Sequence, residues 1–109
     1  MKESERLRAA LALIDSPEKW AQGASAKDSE GFIVALHAED AVSFCSLGAL
    51  GIKCSDKGYL DNEAYESSRT YLKRAAGQRL ITEYNDTRTH AEVMQMFDKA
   101  IQLAQAEGN

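Results

Sequence analysis

One stretch of the chain carries no charged residue and is apolar almost throughout, from Ala41 to Ile52. Val42, Cys45 and Ala49 recur at helical spacing within it, and a second apolar stripe adjoins them. A helix that is apolar on most of its circumference belongs in a core. Its length of about 18 Å falls short of the ~20 residues that cross a bilayer. The pattern therefore predicts a central buried helix over residues 41–52.

Local signals on either side predict three further helices, over residues 4–15, 62–76 and 90 to about 106. The last begins at Thr89, which forms a capping box with Glu92 because each side chain accepts a backbone N–H of the other residue. Asp61 caps the middle helix and Gly77 ends it. Residues 79–84 suit a helical turn or a short strand, and residues 85–88 suit a polar loop.

The best β-forming run is Phe32-Ile33-Val34. Residues 27–31 before it have turn chemistry, and Gly31 is free to adopt a positive φ. We predict a small β-hairpin near residues 22–36 that lies on helices, because two strands alone are marginal. An irregular loop with one short strand is the alternative. The predicted fold class is α+β and mainly helical, a single domain over residues 1–109, with about four helices around the central one.

Composition narrows the classes of function. The formal net charge of −4 argues against nucleic-acid binding, which needs clustered Lys and Arg. Acidic residues precede a short apolar run at the N-terminus, unlike a signal peptide. We expect a cytosolic protein without membrane contact, in which Cys45 and Cys54 are thiols. The spacing of Cys and His matches no metal site, and no cofactor motif occurs.

Four pieces of the chain, in order, resemble a family of small uncharacterised domains from bacteria and their phages. They are Trp20-Ala21-Gln22-Gly23-Ala24, then Asp28 and Gly31, then Phe44-Cys45-Ser46-Leu47-Gly48-Ala49-Leu50, and finally Asn85-Asp86 followed by Arg88-Thr89 and Glu92-Val93. The resemblance covers roughly residues 7–104. It departs at Tyr84, where the family has Trp, and over residues 55–78. The family implies no activity, substrate or cofactor, so no site residue is carried over from it.

Cys45 is the candidate nucleophile of a small hydrolase or transferase. Such an enzyme needs a base, a group that orients the base and an oxyanion donor, for which the chain offers His37 or His90, Asn85 or Asp86, and Gln22. Reactive cysteines occupy electropositive, partly exposed helix starts, whereas Cys45 lies in an uncharged apolar run. We therefore predict a packing role for Cys45. Gln22 has a structural alternative as well, which is to tie the hairpin to a neighbouring loop.

Two polar regions are candidates for binding. The loop with Asn85, Asp86 and Arg88 leads into a capped helix, whose free N–H groups suit an anion. The same side chains could instead satisfy loop backbone. On the helix over residues 62–76, the residues that could form a partner surface are Tyr65, Arg69, Tyr71 and Lys73. The alternative is a solvated helix with half-buried tyrosines.

The leading functional hypothesis is a cytosolic protein-binding or regulatory module without enzymatic activity, of a kind that a phage could carry. Its partner would be a protein, and it would act as a monomer or a homodimer. The alternative is the Cys-dependent hydrolase or transferase that uses Cys45 with His37 or His90.

Overall fold

The computed structural model describes residues 1–109 and contains five α-helices and two small antiparallel sheets. The helices are α1 Glu3–Leu13, α2 Ser46–Lys53, α3 Asn62–Ala75, α4 Ile81–Thr87 and α5 His90–Ala106. The strands are β1 Ala26–Lys27, β2 Ser43–Phe44, β3 Ser55–Asp56 and β4 Tyr59–Leu60. The predicted α+β, mainly helical fold class is confirmed. No helix is long and apolar enough to span a membrane.

The core lies where α1 packs against α2, α3 and α5. Helix α5 packs most extensively against α1 and α3, and α2 packs mainly against α1. Leu50 of α2, Leu7 of α1 and Phe97 of α5 are fully buried in one cluster. Apolar side chains buried together in this way contribute about 1.5–3 kcal/mol each relative to exposure. Helix α2 is therefore buried in the core, as the sequence predicts for this apolar stretch.

The predicted helix over residues 41–52 is too long at its N-terminal end. Helix α2 begins at Ser46, and the residues before it are extended, with Ser43 and Phe44 paired to Lys27 and Ala26 of β1. Cys45 is the N-cap of α2, because its backbone is extended and its Sγ accepts the N–H of Gly48 in the first turn of the helix. A buried strand and a buried helix are both apolar, so the apolar run alone does not show where the strand ends and the helix begins.

The predicted hairpin is present, and two further extended segments lie beside it. Lys27 and Ile33 form an antiparallel bridge, and the turn between them contains Gly31 at φ +85°. The Asp28 carboxylate stabilises this turn, since its Oδ1 accepts the N–H of Phe32 at 2.9 Å. On the other side of β2, Trp20 forms a parallel bridge with Phe44. Four short segments thus lie side by side in the order 32–34, β1, β2 and 20–21.

Residues 85–87 belong to helix α4, so the predicted polar loop over residues 85–88 is wrong. The Thr87 hydroxyl donates to the Glu83 carbonyl at 2.7 Å within that helix. Asn85 is a weak helix former in isolation, but its side chain is satisfied by distant segments and does not compete for the local backbone. Strands β3 and β4 form a second hairpin, whose turn residues Lys57 and Gly58 both have positive φ, as a type I′ turn requires.

Candidate functional site

The carboxamide of Asn85 joins three separate parts of the chain. Its Oδ1 accepts hydrogen bonds from Trp20 Nε1 at 2.8 Å, from the Ser46 N–H at 3.0 Å and from the Ser46 hydroxyl at 2.7 Å. Its Nδ2 donates to the Ala21 carbonyl at 2.9 Å and to Asp86 Oδ1 at 3.0 Å. The side chain is 1% exposed, so it is a buried polar group with its hydrogen bonds satisfied.

Gln22 and Asp86 extend this network to the surface. Gln22 Nε2 donates to the carbonyls of Asn85 and Arg88, both at 3.1 Å, and Asp86 Oδ1 accepts the Gly23 N–H at 3.0 Å. Gln22 therefore ties the start of the hairpin region to a neighbouring segment, residues 85–88, which is the structural alternative for this residue. The pieces that carry the family resemblance meet here, because Trp20 to Gly23 contacts Asn85 and Asp86 directly.

The Arg88 guanidinium lies over the Tyr84 ring at 4.8 Å, and its Nη1 is 3.4 Å from Glu92 Oε2. The structure thus gives Asn85, Asp86 and Arg88 internal partners. A ligand role for these three residues stays a prediction, and Asn85 could not reach a ligand without breaking its buried hydrogen bonds.

A cleft of about 380 Å³ lies beside helix α2, within the usual size range of ligand pockets. We call it the α2 cleft. Its lining comes from residues 23–25 and 36–37, from α2, from the β3–β4 hairpin, and from α3 and α4. Its larger apolar lining comes from Leu36, Leu47, Leu60 and Tyr65. Its titratable lining comes from His37, Cys45, Tyr65 and Asp86.

Small residues of α2 form the floor of the α2 cleft. A Cβ at Gly48 would overlap the Ser25 carbonyl oxygen, and a Cβ at Gly51 would lie 3.3 Å from Leu36 Cδ2. The Ser25 backbone can approach the helix this closely only because residue 48 is glycine. The glycines were apparent in the sequence, but the segment that passes over them was not.

Cys45 is buried, with 8% of its surface exposed. Its Sγ accepts the Gly48 N–H at 3.2 Å. Burial raises the pKa of the Cys45 thiol, the N–H groups of Gly48 and Leu47 oppose that rise, and the nearby Asp86 carboxylate adds to it. The apolar pattern predicts Cys45 inside a helix, whereas the structure places it at a helix N-terminus, where thiolates are usually favoured. Desolvation outweighs that effect here.

The two candidate bases occupy different places. His37 lines the α2 cleft with Cys45 and Asp86, and it is solvent-exposed. His90 lies elsewhere, with Nε2 2.8 Å from the Ile14 carbonyl oxygen and its ring edge-on to Trp20. Neither imidazole makes a hydrogen bond to the Cys45 thiol. No three His, Cys, Asp or Glu side chains are grouped so that they could hold a metal ion.

The four residues of the predicted partner surface on α3 lie in different surroundings. Tyr65 lines the α2 cleft, and Arg69, one turn further along, pairs with Glu66 at 3.3 Å. Lys73 is exposed. Tyr71 is only 6% exposed, because it points instead toward the end of α5, where its hydroxyl donates to Glu107 at 3.1 Å. Tyr65 and Arg69 are half-buried, and a partner role for Tyr65, Arg69 and Lys73 stays a prediction.

These features define a small, mainly helical α+β domain with a cleft beside its central helix. The chain belongs to a family of unknown function (DUF6197), whose family model matches residues 1–103. This confirms the resemblance to an uncharacterised family. No curated protein matches the chain, and no solved structure does either.

Proposed function

We propose that this protein is a binding module without enzymatic activity, which receives an apolar side chain of a partner protein in the α2 cleft. The observation that carries the proposal is the apolar lining of this cleft by Leu36, Leu60 and Tyr65. A concave site of this size, with a few polar groups among apolar ones, is the form that binding sites usually take.

The distribution of exposed apolar side chains supports the same region. Phe32, Ile33 and Val42 lie on the connection between β1 and β2, which contributes Leu36 and His37 to the cleft. Tyr59 and Leu60 lie on the β3–β4 hairpin, which contributes Leu60. Tyr59 is 80% exposed. Apolar side chains grouped at a surface mark interaction sites, and tyrosines are enriched among the residues that dominate binding energy. Tyr65 and Arg69 of the predicted partner surface would extend the contact along α3.

The state of Cys45 supports binding over catalysis. Its thiol accepts a helix N–H, its pKa is raised by burial, and neither histidine is bonded to it. A nucleophilic thiol needs the thiolate form and an adjacent base.

Free thiols at Cys45 and Cys54 also support the proposal that the protein acts in the cytosol. Bacterial or phage proteins would be its partners there.

The experiment compares partners retained by matched variants. The tagged protein captures partners from a bacterial lysate, and the captured partner is then purified and titrated against Tyr59→Ala and Leu60→Glu. We expect at least about a tenfold loss of affinity, equivalent to about 1.4 kcal/mol. Leu80→Ala is the control, because Leu80 is an exposed apolar residue that does not line the cleft. Leu60 lines the cleft and Tyr59 is its neighbour on β4. Unchanged affinity of both variants, or an equal loss with the control, would refute the proposal.

A second candidate is the Cys-dependent hydrolase or transferase, which one observation favours: Cys45, His37 and Asp86 line the same cleft. In that case the Cys45 sulfur would attack an acyl carbonyl carbon while His37 takes up the thiol proton, and the bond from that carbon to the leaving group would break. Water or another acceptor would then take the acyl group from Cys45. Release of p-nitrophenol from p-nitrophenyl acetate tests it. The enzyme would show release that disappears in both Cys45→Ser and His37→Asn, whereas a binding module would show no difference among the three proteins.

A further inference from the structure

The segment Phe32-Ile33-Val34 forms an open edge of the four-segment β arrangement. The Asp28 N–H donates to the Phe32 carbonyl at 2.9 Å, and the Val34 N–H donates to the Ala26 carbonyl at 3.2 Å. These two bonds flank the bridge between Lys27 and Ile33, which is therefore a non-hydrogen-bonded pair. The N–H and C=O of Ile33 consequently point away from β1, and no group of the chain bonds to either.

This edge is short but lacks the side chains and the covering element that usually protect a β edge. Phe32 is 65% exposed and Ile33 is 71% exposed, on opposite faces of the strand. Edge strands are normally blunted by proline, by lysine or by a covering element, and no such residue lies between Gly31 and Leu36. An unpaired donor and acceptor on one residue, with apolar side chains around them, is the arrangement that accepts an added strand.

The charges around the edge indicate the chemistry of the added strand. Asp28 and Glu30 lie before it, and Glu39 and Asp40 follow it, whereas Lys27 is the one Lys or Arg between Trp20 and Ile52. A second copy of this chain would bring its own four carboxylates to the same edge, and like charges repel. A segment with Lys or Arg between its apolar residues would be complementary instead.

We propose that an extended segment of the partner protein, with alternating apolar and basic residues, adds to the Phe32–Val34 edge as a further β-strand. The Ile33 N–H and C=O bond to its backbone, and its basic side chains lie near the surrounding carboxylates. This inference rests on the proposed function and specifies the kind of segment bound. The edge leads directly into Leu36 and His37 of the α2 cleft, so one partner can occupy both.

The test uses two designed peptides in which Val alternates with Lys in one and with Glu in the other. NMR spectra of the ¹⁵N-labelled protein report binding, and amide hydrogen exchange reports protection of the Ile33 N–H. We expect the Lys peptide to bind and to slow Ile33 exchange by about tenfold or more. Added salt should weaken this binding. Absence of Ile33 protection by the Lys peptide, or equal binding of the Glu peptide, overturns the proposal.

Ile33→Pro is the matched variant, because it removes the outward N–H without breaking any hydrogen bond inside the chain. It should weaken Lys-peptide binding by about tenfold, whereas Ile33→Val should bind normally. Its NMR spectrum reports that the fold is retained. Undiminished binding by Ile33→Pro refutes the strand-addition proposal. Concentration-dependent dimerisation that Ile33→Pro abolishes would show instead that a second copy occupies the edge.

The two proposals can fail separately. If Leu60→Glu loses the captured partner while the Lys peptide leaves Ile33 unprotected, the cleft binds and the edge does not. If the Lys peptide protects Ile33 while Leu60→Glu keeps full affinity for the captured partner, the edge binds and the cleft does not.

Discussion

Asn85 and Ser46 are joined by two hydrogen bonds to a single oxygen. Asn85 Oδ1 accepts the Ser46 N–H at 3.0 Å and the Ser46 hydroxyl at 2.7 Å. Ser46 is the first residue of α2, and Asn85 lies in α4. The same oxygen also accepts the Trp20 indole N–H. One carboxamide thus fixes the start of the central helix, the position of α4 and the segment that leads to β1, which together form much of the α2 cleft wall.

We predict that Asn85→Asp and Asn85→Ala both destabilise the fold strongly. The Asp variant keeps the accepting oxygen but places a second oxygen against the Ala21 carbonyl and the Asp86 carboxylate, where Nδ2 now donates. The Ala variant leaves several buried groups without partners, each costing about 1–3 kcal/mol. We expect a loss of about 3 kcal/mol or more in the free energy of unfolding, measured by urea denaturation.

Ser46→Ala is the control for this prediction. It removes the hydroxyl bond to Asn85 but keeps the backbone N–H bond, so the expected loss is about 1 kcal/mol. If Asn85→Ala were no more damaging than Ser46→Ala, the central role of the carboxamide would be wrong.

Local signals in the sequence were sufficient to predict helices α3 and α5. Asp61 Oδ1 accepts the Ala64 N–H, and Thr89 with Glu92 forms the predicted capping box. Such motifs act within one helical turn, so the sequence contains all of their parts. The start of α2 could not be found in this way, because it depends on pairing between Phe44 and Ala26. That pairing joins residues far apart in the chain.

The candidate site was predictable only as separate residues. The chemistry of Gln22, Cys45 and Asn85 makes each of them a candidate, but no sequence pattern indicates that Asn85 bonds to Ser46. The sequence also does not reveal that Leu36 and Leu60 face one cleft. Sites assembled from distant segments depend on tertiary packing, whereas sequence patterns report the periodicity of one segment at a time.

Gly48→Ala should destabilise the protein although alanine favours helices. The added Cβ would overlap the backbone carbonyl of Ser25, which is held in place because it accepts the Cys45 N–H at 3.2 Å. The steric cost should exceed the roughly 1 kcal/mol gained in helix propensity, so we expect a net loss of about 1–3 kcal/mol. Thermal denaturation followed by circular dichroism measures it.

Gly51→Ala provides the comparison within the same helix. Its Cβ would lie 3.3 Å from Leu36 Cδ2, the tip of a movable side chain, and 4.0 Å from Tyr65 Cε1. The propensity gain of up to about 1 kcal/mol should therefore be largely retained. Equal destabilisation by the two substitutions would show that the Ser25 contact is not the cause.

Cys45 should react slowly with iodoacetamide in the native protein. Burial raises the pKa of its thiol, so little thiolate exists at neutral pH, and only the thiolate reacts. We expect the rate to rise as the pH increases through and above the usual thiol range, and to reach that of an ordinary thiol in urea. Mass spectrometry of the modified peptides follows both cysteines. Rapid labelling of Cys45 at neutral pH would contradict the packing role and favour the hydrolase.

The cap role of Cys45 gives a separate prediction for stability. Cys45→Ser replaces the sulfur with a hydroxyl, a preferred N-cap acceptor, whereas Cys45→Ala removes the acceptor of the Gly48 N–H. We expect the Ala variant to be less stable than the Ser variant by about 1 kcal/mol in urea denaturation. The reverse order would mean that apolar packing of the sulfur outweighs its capping bond.

The capping box at the start of α5 should make stability depend on pH in the acidic range. Hydrogen bonds from the Thr89 N–H and hydroxyl lower the pKa of Glu92. A carboxyl with a lowered pKa in the folded state contributes stability above its unfolded pKa of about 4.3, and this contribution is lost as the pH falls through the folded value. Glu92→Gln cannot ionise, so the stability difference between wild type and this variant should shrink as the pH falls below about 4.

The pKa of Glu107 is also lowered, by Arg74. Both proteins contain Glu107, so taking the difference in stability between them removes its contribution. Urea denaturation at a series of pH values measures it, and a difference that stays constant with pH would contradict the prediction.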